Sequence, residues 1–177
     1  MRLLFSPDKT LGTNRFRDID LYEIVTSWTD IYHASFKEKN IKCYIEPASP
    51  WTVRGVKEYL EVAIKNVIDN AVKYSFDATN YDEPGKFVVK WDNFRQRISF
   101  INFGVPIDRE EIESKSIHDF SARGGRSDDR GRLGRGVGMF LVDQIVSLHD
   151  AKLDIRSSIQ NPEGRNEFAR NEISITF

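Results

Sequence analysis

The run Asn66-Val67-Ile68-Asp69-Asn70-Ala71-Val72-Lys73-Tyr74 carries polar side chains along one face of an otherwise apolar segment. Apolar residues recur at helical spacing from Val56 to Tyr74 and predict one long helix. Asn66 and Asn70 share a face of that helix, and Lys73 lies next to them. Because asparagine is a poor helix former, two of them here indicate either a ligand-facing stripe or a solvated edge. Amide oxygens suit a hard cation such as Mg²⁺, and a lysine suits phosphate.

A glycine-rich segment, Gly134-Arg135-Gly136-Val137-Gly138, leads into a second strongly patterned helix that covers residues 138–148. Glycines allow a backbone to approach a ligand closely, and a helix N-terminus offers free N–H groups to phosphate. The spacing fits neither a P-loop nor the G-x-G-x-x-G pattern. A phosphate-binding segment and a flexible hinge therefore both remain open for these residues.

A third segment, Asn102-Phe103-Gly104-Val105-Pro106-Ile107, follows directly after a predicted strand. A polar residue at a strand end, followed by glycine and proline, is typical of an ordinary turn. The alternative is a position that reads a nucleotide base.

The rest of the chain alternates helices with strand pairs. Residues 1–18 are weakly patterned and are expected to be a linker or the end of an upstream element. The other predictions are a helix over 20–39 capped by Asp18 or Asp20, a strand over 41–46, a hairpin of 87–91 with 98–102, a long loop over 103–133, and closing strands at 153–156 and 172–177. This order predicts an α/β (α+β) two-layer sandwich of a mixed, mostly antiparallel sheet and about three helices.

Composition excludes several classes of protein. The chain has 177 residues, 40% of them hydrophobic and 30% charged, as in ordinary globular domains. A net charge of −1 gives no field that attracts nucleic acid or an anionic membrane, so we expect contact with neither. Cys43 is the only cysteine, so no internal disulfide can form. Without an 18-residue apolar run, the chain is expected to be cytoplasmic, although a parent protein can carry membrane helices upstream.

In this order, the three segments resemble the N, G1 and G2 boxes of the gyrase, heat-shock chaperone, histidine kinase and MutL superfamily of ATPases. Asn-Ala-x-Lys-Tyr-Ser at 70–75 looks specifically like the histidine kinases, as does the run 136–142 with 145–149 after it. The resemblance implies a Bergerat ATP-binding fold over residues 19–177, with ATP and Mg²⁺ as cofactors. It also implies that the chain acts as an ATP-dependent protein histidine kinase.

The resemblance assigns roles to individual residues. Asn70 would ligate Mg²⁺ with support from Asn66, and Lys73 would meet the phosphates, so that Asn66 and Lys73 are the catalytic candidates. Residues 108–135 would form a lid over the nucleotide. The cofactor-binding set is Asn66, Asn70, Lys73, Tyr74, Asn102, Gly104, Pro106, Ile107, Gly134, Arg135, Gly136, Val137, Gly138 and Met139.

Position 66 separates this chain from the hydrolysing branches of the superfamily, and positions 102 and 106 depart from the family's pattern. Asn66 stands where the hydrolysing branches have a glutamate that activates water, and an amide cannot act as that base. Asn102 replaces an aspartate; its oxygen can still accept from adenine, but its NH₂ can donate to guanine and so relax base selectivity. Pro106 replaces a glycine and stiffens the turn. The family's lid box is also poorly matched around residues 117–120.

A phosphoacceptor histidine is not apparent, because Ala34 follows His33 where the family's acceptor has an acidic residue. The expected partners are therefore a histidine-bearing dimerisation domain and a response regulator, both outside this chain. Two other functions remain open. One is a degenerate nucleotide-binding sensor that acts through protein contacts, and the other is an ATPase or protein-serine kinase of the same superfamily.

Overall fold

In the computed structural model, helices cover one face of a five-stranded sheet, and a two-stranded sheet lies beside them. The structure describes residues 15–46, 50–79, 85–107, 112, 138–160 and 168–177. In chain order the described elements are β1 Arg17–Asp20, α1 Leu21–Ile31, α2 His33–Glu38, β2 Ile41–Ile45, β3 Thr52–Gly55, α3 Lys57–Tyr74, β4 Gly85–Asp92, β5 Arg97–Gly104, α4 Gly138–Leu148, β6 Lys152–Ile159 and β7 Ala169–Thr176.

The main sheet has the strand order β2-β4-β5-β7-β6. β2 runs parallel to β4, and the other three pairs are antiparallel. Alternate residues of β5, such as Ile98 and Phe100, point to the helical layer and join its core. The predicted fold class, a two-layer α/β sandwich with a mixed and mostly antiparallel sheet, is confirmed.

The helix predicted over residues 20–39 is divided at Tyr32. Asp20 caps α1, because its carboxylate accepts a hydrogen bond from the Tyr22 backbone N–H at 2.9 Å. Tyr32 leaves helical geometry, with φ −87° and ψ 1°, and α2 starts at the next residue. The break lets Phe36 stack on Phe87 of the sheet, with ring centroids 5.0 Å apart.

The small sheet of β1 and β3 was not predicted. Each strand has four residues, too few for an alternating pattern to stand out, and Ile19 and Val53 are buried register partners. Arg17 and Asp18, at the end of the expected linker, lie in β1, so Asp18 is not a helix cap. In the described part of the chain, no helix has the length and apolar character needed to cross a membrane.

α3 is the central helix, and its predicted apolar face is confirmed. It packs against α1, α4 and β5 through buried residues, which are Leu60, Ala63, Ile64, Val67, Ile68, Ala71 and Val72. At its C-terminus, Lys39 Nζ donates to the carbonyl oxygens of Val72 and Lys73 at 2.5 and 3.2 Å. Asn66 and Asn70 therefore lie at the partly exposed edge of a helix that is fixed along its length and at its end.

His149 joins the end of α4 to the start of α3. Its Nδ1 donates to the Ile145 carbonyl oxygen at 2.7 Å, and its Nε2 accepts from the Val56 backbone N–H at 3.1 Å. This pattern requires a neutral ring that carries its proton on Nδ1. Burial of the ring lowers the pKa of His149 below its ordinary value of 6.5.

We expect the free energy of unfolding to fall as the pH drops below 6.5, the ordinary pKa of the His149 ring. The lowered pKa means that the unfolded chain binds this proton more readily, so the stabilisation is fully present above the unfolded value and is lost below it. Urea unfolding between pH 7.5 and 5.5 measures the slope, and His149→Gln should flatten it. An equal slope in both proteins would show that His149 does not link stability to pH.

Candidate functional site

The two asparagines of α3 meet the first residue of α4. The Asn66 Nδ2 donates to the Val62 carbonyl oxygen at 2.7 Å, and since a carbonyl only accepts, the amide orientation is fixed. Its Oδ1 is left on the side of Gly138, where an added Cβ would lie 3.1 Å from Asn66 Oδ1 and 3.8 Å from Asn70 Nδ2. The absence of a side chain at Gly138 therefore keeps the space above both amides open.

This arrangement suits a cation that arrives with its own oxygen ligands. Asn66 turns its amide oxygen toward Gly138, whereas the nearest Asn70 atom is Nδ2, so the Asn70 amide has to turn over to offer its oxygen. Both oxygens are hard ligands of the kind that Mg²⁺ accepts. Among the described residues, no group of three or more His, Cys, Asp or Glu side chains could hold a metal ion. Mg²⁺ commonly binds proteins through few side chains and completes its shell with phosphate oxygens and water. The donor set therefore fits Mg²⁺ bound together with a phosphate ligand.

Lys73 forms an ion pair with Asp69 on its own helix. Its Nζ lies 2.6 Å from Asp69 Oδ2, and the other Asp69 oxygen accepts from the Tyr32 hydroxyl at 3.1 Å. Burial, with help from the Asp69 charge, raises the pKa of Tyr32 to about 12, so its hydroxyl stays a donor. The Lys73 side chain is 40% exposed, which leaves its long stem room to turn. The predicted contact of Lys73 with phosphate stays a prediction.

The end of α3 and the end of β5 are joined backbone to backbone. Val105 N–H donates to the Tyr74 carbonyl oxygen, and Phe76 N–H donates to the Phe103 carbonyl oxygen, both at 2.9 Å. A Cβ added at Gly104 would lie 1.9 Å from the Tyr74 oxygen. Only glycine permits this approach, which places Tyr74 beside the turn after β5.

A row of polar side chains crosses the sheet at this end. Asn102, Asn171 and Ser157 are successive register partners on β5, β7 and β6. Asn102 is only 6% exposed, and its Nδ2 donates to the Ser75 hydroxyl at 3.2 Å. Among the described residues its Oδ1 has no hydrogen-bond partner, which is unusual for a buried acceptor.

The sequence did not single out Ser75, Ser157 or Asn171 as site residues. Ser75 follows Tyr74 within the segment that resembles the histidine kinases, so that signal was available. Ser157 and Asn171 lie in strands whose register brings them to the site, and no local pattern marks them.

The remaining predicted site residues divide into two groups. Pro106 is buried in the turn, Ile107 packs against the core, and the Met139 side chain is 8% exposed in the core, so Met139 can offer a ligand only its backbone. Gly134, Arg135, Gly136, Val137 and, apart from Ile112, the predicted lid over 108–135 lie outside the described residues.

Comparison with known proteins places the chain in a family. The family model of histidine kinase-, DNA gyrase B- and HSP90-like ATPases matches residues 55–173. The phosphate regulon sensor protein PhoR of Pseudomonas aeruginosa is 24% identical over 121 residues, which are 67% of this chain and 26% of that protein. The chain thus spans about a quarter of the length of this curated relative.

Solved structures show the same fold. The mycobacterial sensor histidine kinase MprB has a TM-score of 0.63 at 21% identity, covering 91% of this chain and 97% of that one. The catalytic domain of histidine kinase ThkA has a TM-score of 0.64 at 16% identity, covering 91% and 95%. Full-length ShkA in complex with AMPPNP has a TM-score of 0.61 at 14% identity, covering 90% of this chain and 30% of that one. With the family model matching more than half of its length, the chain belongs to the histidine kinase-, DNA gyrase B- and HSP90-like ATPases.

Proposed function

We propose that this chain binds ATP with Mg²⁺ and serves as the catalytic domain of a sensor histidine kinase. It would transfer the γ-phosphoryl group to a histidine in a separate dimerisation domain, from which a response regulator would receive it. The observation that carries the proposal is the position of Gly138 over the amides of Asn66 and Asn70. It brings two of the three predicted nucleotide-binding segments into contact. The curated relative is a sensor protein, and one structural neighbour was solved with an ATP analogue.

The phosphate end of the nucleotide would lie between α3 and α4. Asn66 and Asn70 would hold Mg²⁺, which neutralises charge on the phosphate oxygens when bound. The first turn of α4 at Gly138 and Met139 offers backbone N–H groups at a helix N-terminus, where anions are favoured. Lys73 would exchange the Asp69 carboxylate for a phosphate oxygen, a short movement for an ammonium on a flexible stem.

The base would lie at the end of β5. Asn102 Oδ1 is a buried acceptor without a partner among the described residues, and the amino group of adenine is a donor. Tyr74 and the turn at 104–107 would pack against the base and ribose.

Position 66 favours phosphoryl transfer over hydrolysis. The Asn66 amide cannot take a proton from water, and its Nδ2 is already used on Val62. Without a base here, catalysis would come from positioning and from neutralisation of charge. This reaction would take place in the cytoplasm, where ATP is supplied.

Incubation with ATP labelled at the γ-phosphate and a separate histidine-bearing dimerisation domain tests the proposed transfer. We expect acid-labile label on the acceptor domain and little free phosphate from the chain alone. Steady release of phosphate by the chain alone, lost in Asn70→Ala, would instead favour an ATPase. Binding of ATP without transfer to any acceptor would favour the degenerate nucleotide-binding sensor that acts through protein contacts.

Asn102→Asp should sharpen the preference for ATP over GTP by about tenfold, or ~1.4 kcal/mol. A carboxylate only accepts hydrogen bonds, so it suits the adenine amino group and repels the guanine carbonyl. Competition binding of both nucleotides gives the ratio, and Asn93→Asp in the hairpin turn makes the same chemical change at an exposed position. Equal discrimination before and after the Asn102 change would mean that this residue does not read the base.

A further inference from the structure

The turn that follows β5 lies beyond the sheet ladder and is held by side chains of the neighbouring strands together with the Val105 N–H bond to Tyr74. Pairing of β5 with β7 ends at Gly104 and Ala169, so the backbone from Val105 to Ile107 continues beyond the register. Its polar groups need other partners, because Val105 and Pro106 are buried.

Two residues from the neighbouring strands supply those partners. The Ile107 backbone N–H donates to Ser157 Oγ at 3.1 Å, and the Ser157 hydroxyl donates to Asn171 Oδ1 at 2.7 Å. The Asn171 Nδ2 then donates to the Val105 carbonyl oxygen at 2.9 Å. The chain of bonds leaves the turn at one residue and returns to it two residues earlier.

The donor and the acceptor of each of these three hydrogen bonds are fixed. A backbone N–H can only donate and a backbone carbonyl can only accept, so the Ser157 hydroxyl must donate its hydrogen bond to Asn171 Oδ1, and the Asn171 NH₂ then faces Val105. Asn171 is 3% exposed, and a buried network of this kind is most rigid when each member is satisfied. The observed conformation of the turn satisfies all three bonds.

We propose that Ser157 and Asn171 are positioning residues for the base-binding part of the site, which they serve by holding the turn at 104–107. The inference rests on the proposed nucleotide-binding function. Asn171 is the direct register partner of Asn102, so β7 positions both the turn and the candidate base-reading amide. Neither positioning residue needs to touch the nucleotide. The test therefore measures two properties, which are the affinity for nucleotide and the rate at which the turn opens.

Ser157→Ala tests this in the full chain. It leaves the Ile107 N–H and the Asn171 oxygen without their partner, and we expect affinity for an ATP analogue with Mg²⁺ to fall about tenfold, or ~1.4 kcal/mol. Amide hydrogen exchange at Ile107 should become faster, because the turn opens more readily. Ser157→Thr keeps the hydroxyl and should restore both properties.

Ser174→Ala is the matched control. It also removes a serine hydroxyl that bonds between strands, because Ser174 Oγ lies 2.8 Å from Ser99 Oγ, but it does so at the other end of β7. Ser174 is fully buried, whereas Ser157 is partly buried. Because Ser174 is the more buried of the two serines, Ser174→Ala should reduce the urea midpoint at least as much as Ser157→Ala and leave the affinity unchanged. Asn171→Ala should resemble Ser157→Ala in affinity; if it fails to fold, the comparison of the two serine variants decides.

The outcomes separate the two proposals. Unchanged ATP affinity in Ser157→Ala, or an equal loss in Ser174→Ala, overturns the positioning role and leaves nucleotide binding intact. A wild-type chain that binds no nucleotide overturns the proposed function, and the positioning role falls with it.

Discussion

Asn70→Ala should weaken Mg²⁺-dependent binding of ATP by at least about 100-fold, since losing even an outer partner of a metal site costs 10–100-fold. Asn70 lies under Gly138 at the edge of α3, where its amide oxygen is proposed to ligate Mg²⁺. Titration of wild type and variant with a non-hydrolysable ATP analogue, at saturating Mg²⁺, measures the change in Kd.

The fold should survive this substitution. Asn70 is only partly buried, and alanine is the better helix former by less than about 1 kcal/mol, so the urea midpoint should stay level or rise slightly. Glu58→Ala, on the exposed face of the first turn of α3, is the matched control and should leave Kd unchanged. Unchanged affinity in Asn70→Ala would contradict the assignment of Asn70 as a ligand of Mg²⁺.

Gly104→Ala should destabilise the fold by about 3 kcal/mol or more, at the upper end for overpacking. The added Cβ would lie 1.9 Å from the Tyr74 carbonyl oxygen and 2.8 Å from Ser75 Cα, and both of these atoms belong to the backbone. Relief requires β5 and the end of α3 to separate, which would break the bond from Val105 N–H to Tyr74. Thermal unfolding should show a fall in Tm of about 10 °C for a domain of this size.

Gly85→Ala provides the comparison for Gly104. Gly85 is the first residue of β4, and its added Cβ would lie 3.2 Å from Ile41 Cγ1, a side-chain atom at a distance that a shift of a few tenths of an ångström relieves. We expect a change in Tm of only about 2 °C or less. A similar small change in Gly104→Ala would mean that the two segments do not meet closely in solution.

Much of the fold follows from local pattern. α3 and α4 have long apolar faces, and the strands of the main sheet appear as apolar or alternating runs with turns between them. The pair β1 and β3 was missed because four residues give too little pattern and because their pairing joins distant segments. The division of the first helix at Tyr32 also depends on tertiary contacts, since Tyr32 reaches Asp69 and Phe36 reaches Phe87.

The candidate site was predictable where its residues lie in one segment. Spacing and composition singled out Asn66 and Asn70 in one segment and Gly138 in another, the resemblance to the histidine kinases assigned them to one site, and the structure places them side by side. The partner of Lys73 was not foreseen, although Asp69 stands four residues before it and that spacing is typical of an ion pair. Ser157 and Asn171 could not be found at all from sequence, because their role depends on the register of β6 with β7.

The state of Lys73 bears on how the site would be used. In this structure Asp69 neutralises the Lys73 ammonium, which we propose contacts the phosphates, and the Tyr32 hydroxyl donates to Asp69. Both partners are partly exposed, so the pair contributes about 1 kcal/mol or less. Mg²⁺-bound triphosphate carries more negative charge than one carboxylate. The exchange of Asp69 for a phosphate oxygen by Lys73 would therefore require little free energy.

Calorimetric titration of the purified chain with a non-hydrolysable ATP analogue, with and without Mg²⁺, tests the central claim most directly. The proposed site predicts a Kd between about 1 µM and 1 mM with Mg²⁺ and a large loss of affinity without it. Absence of binding at millimolar ligand in the presence of Mg²⁺ would contradict the proposed nucleotide site.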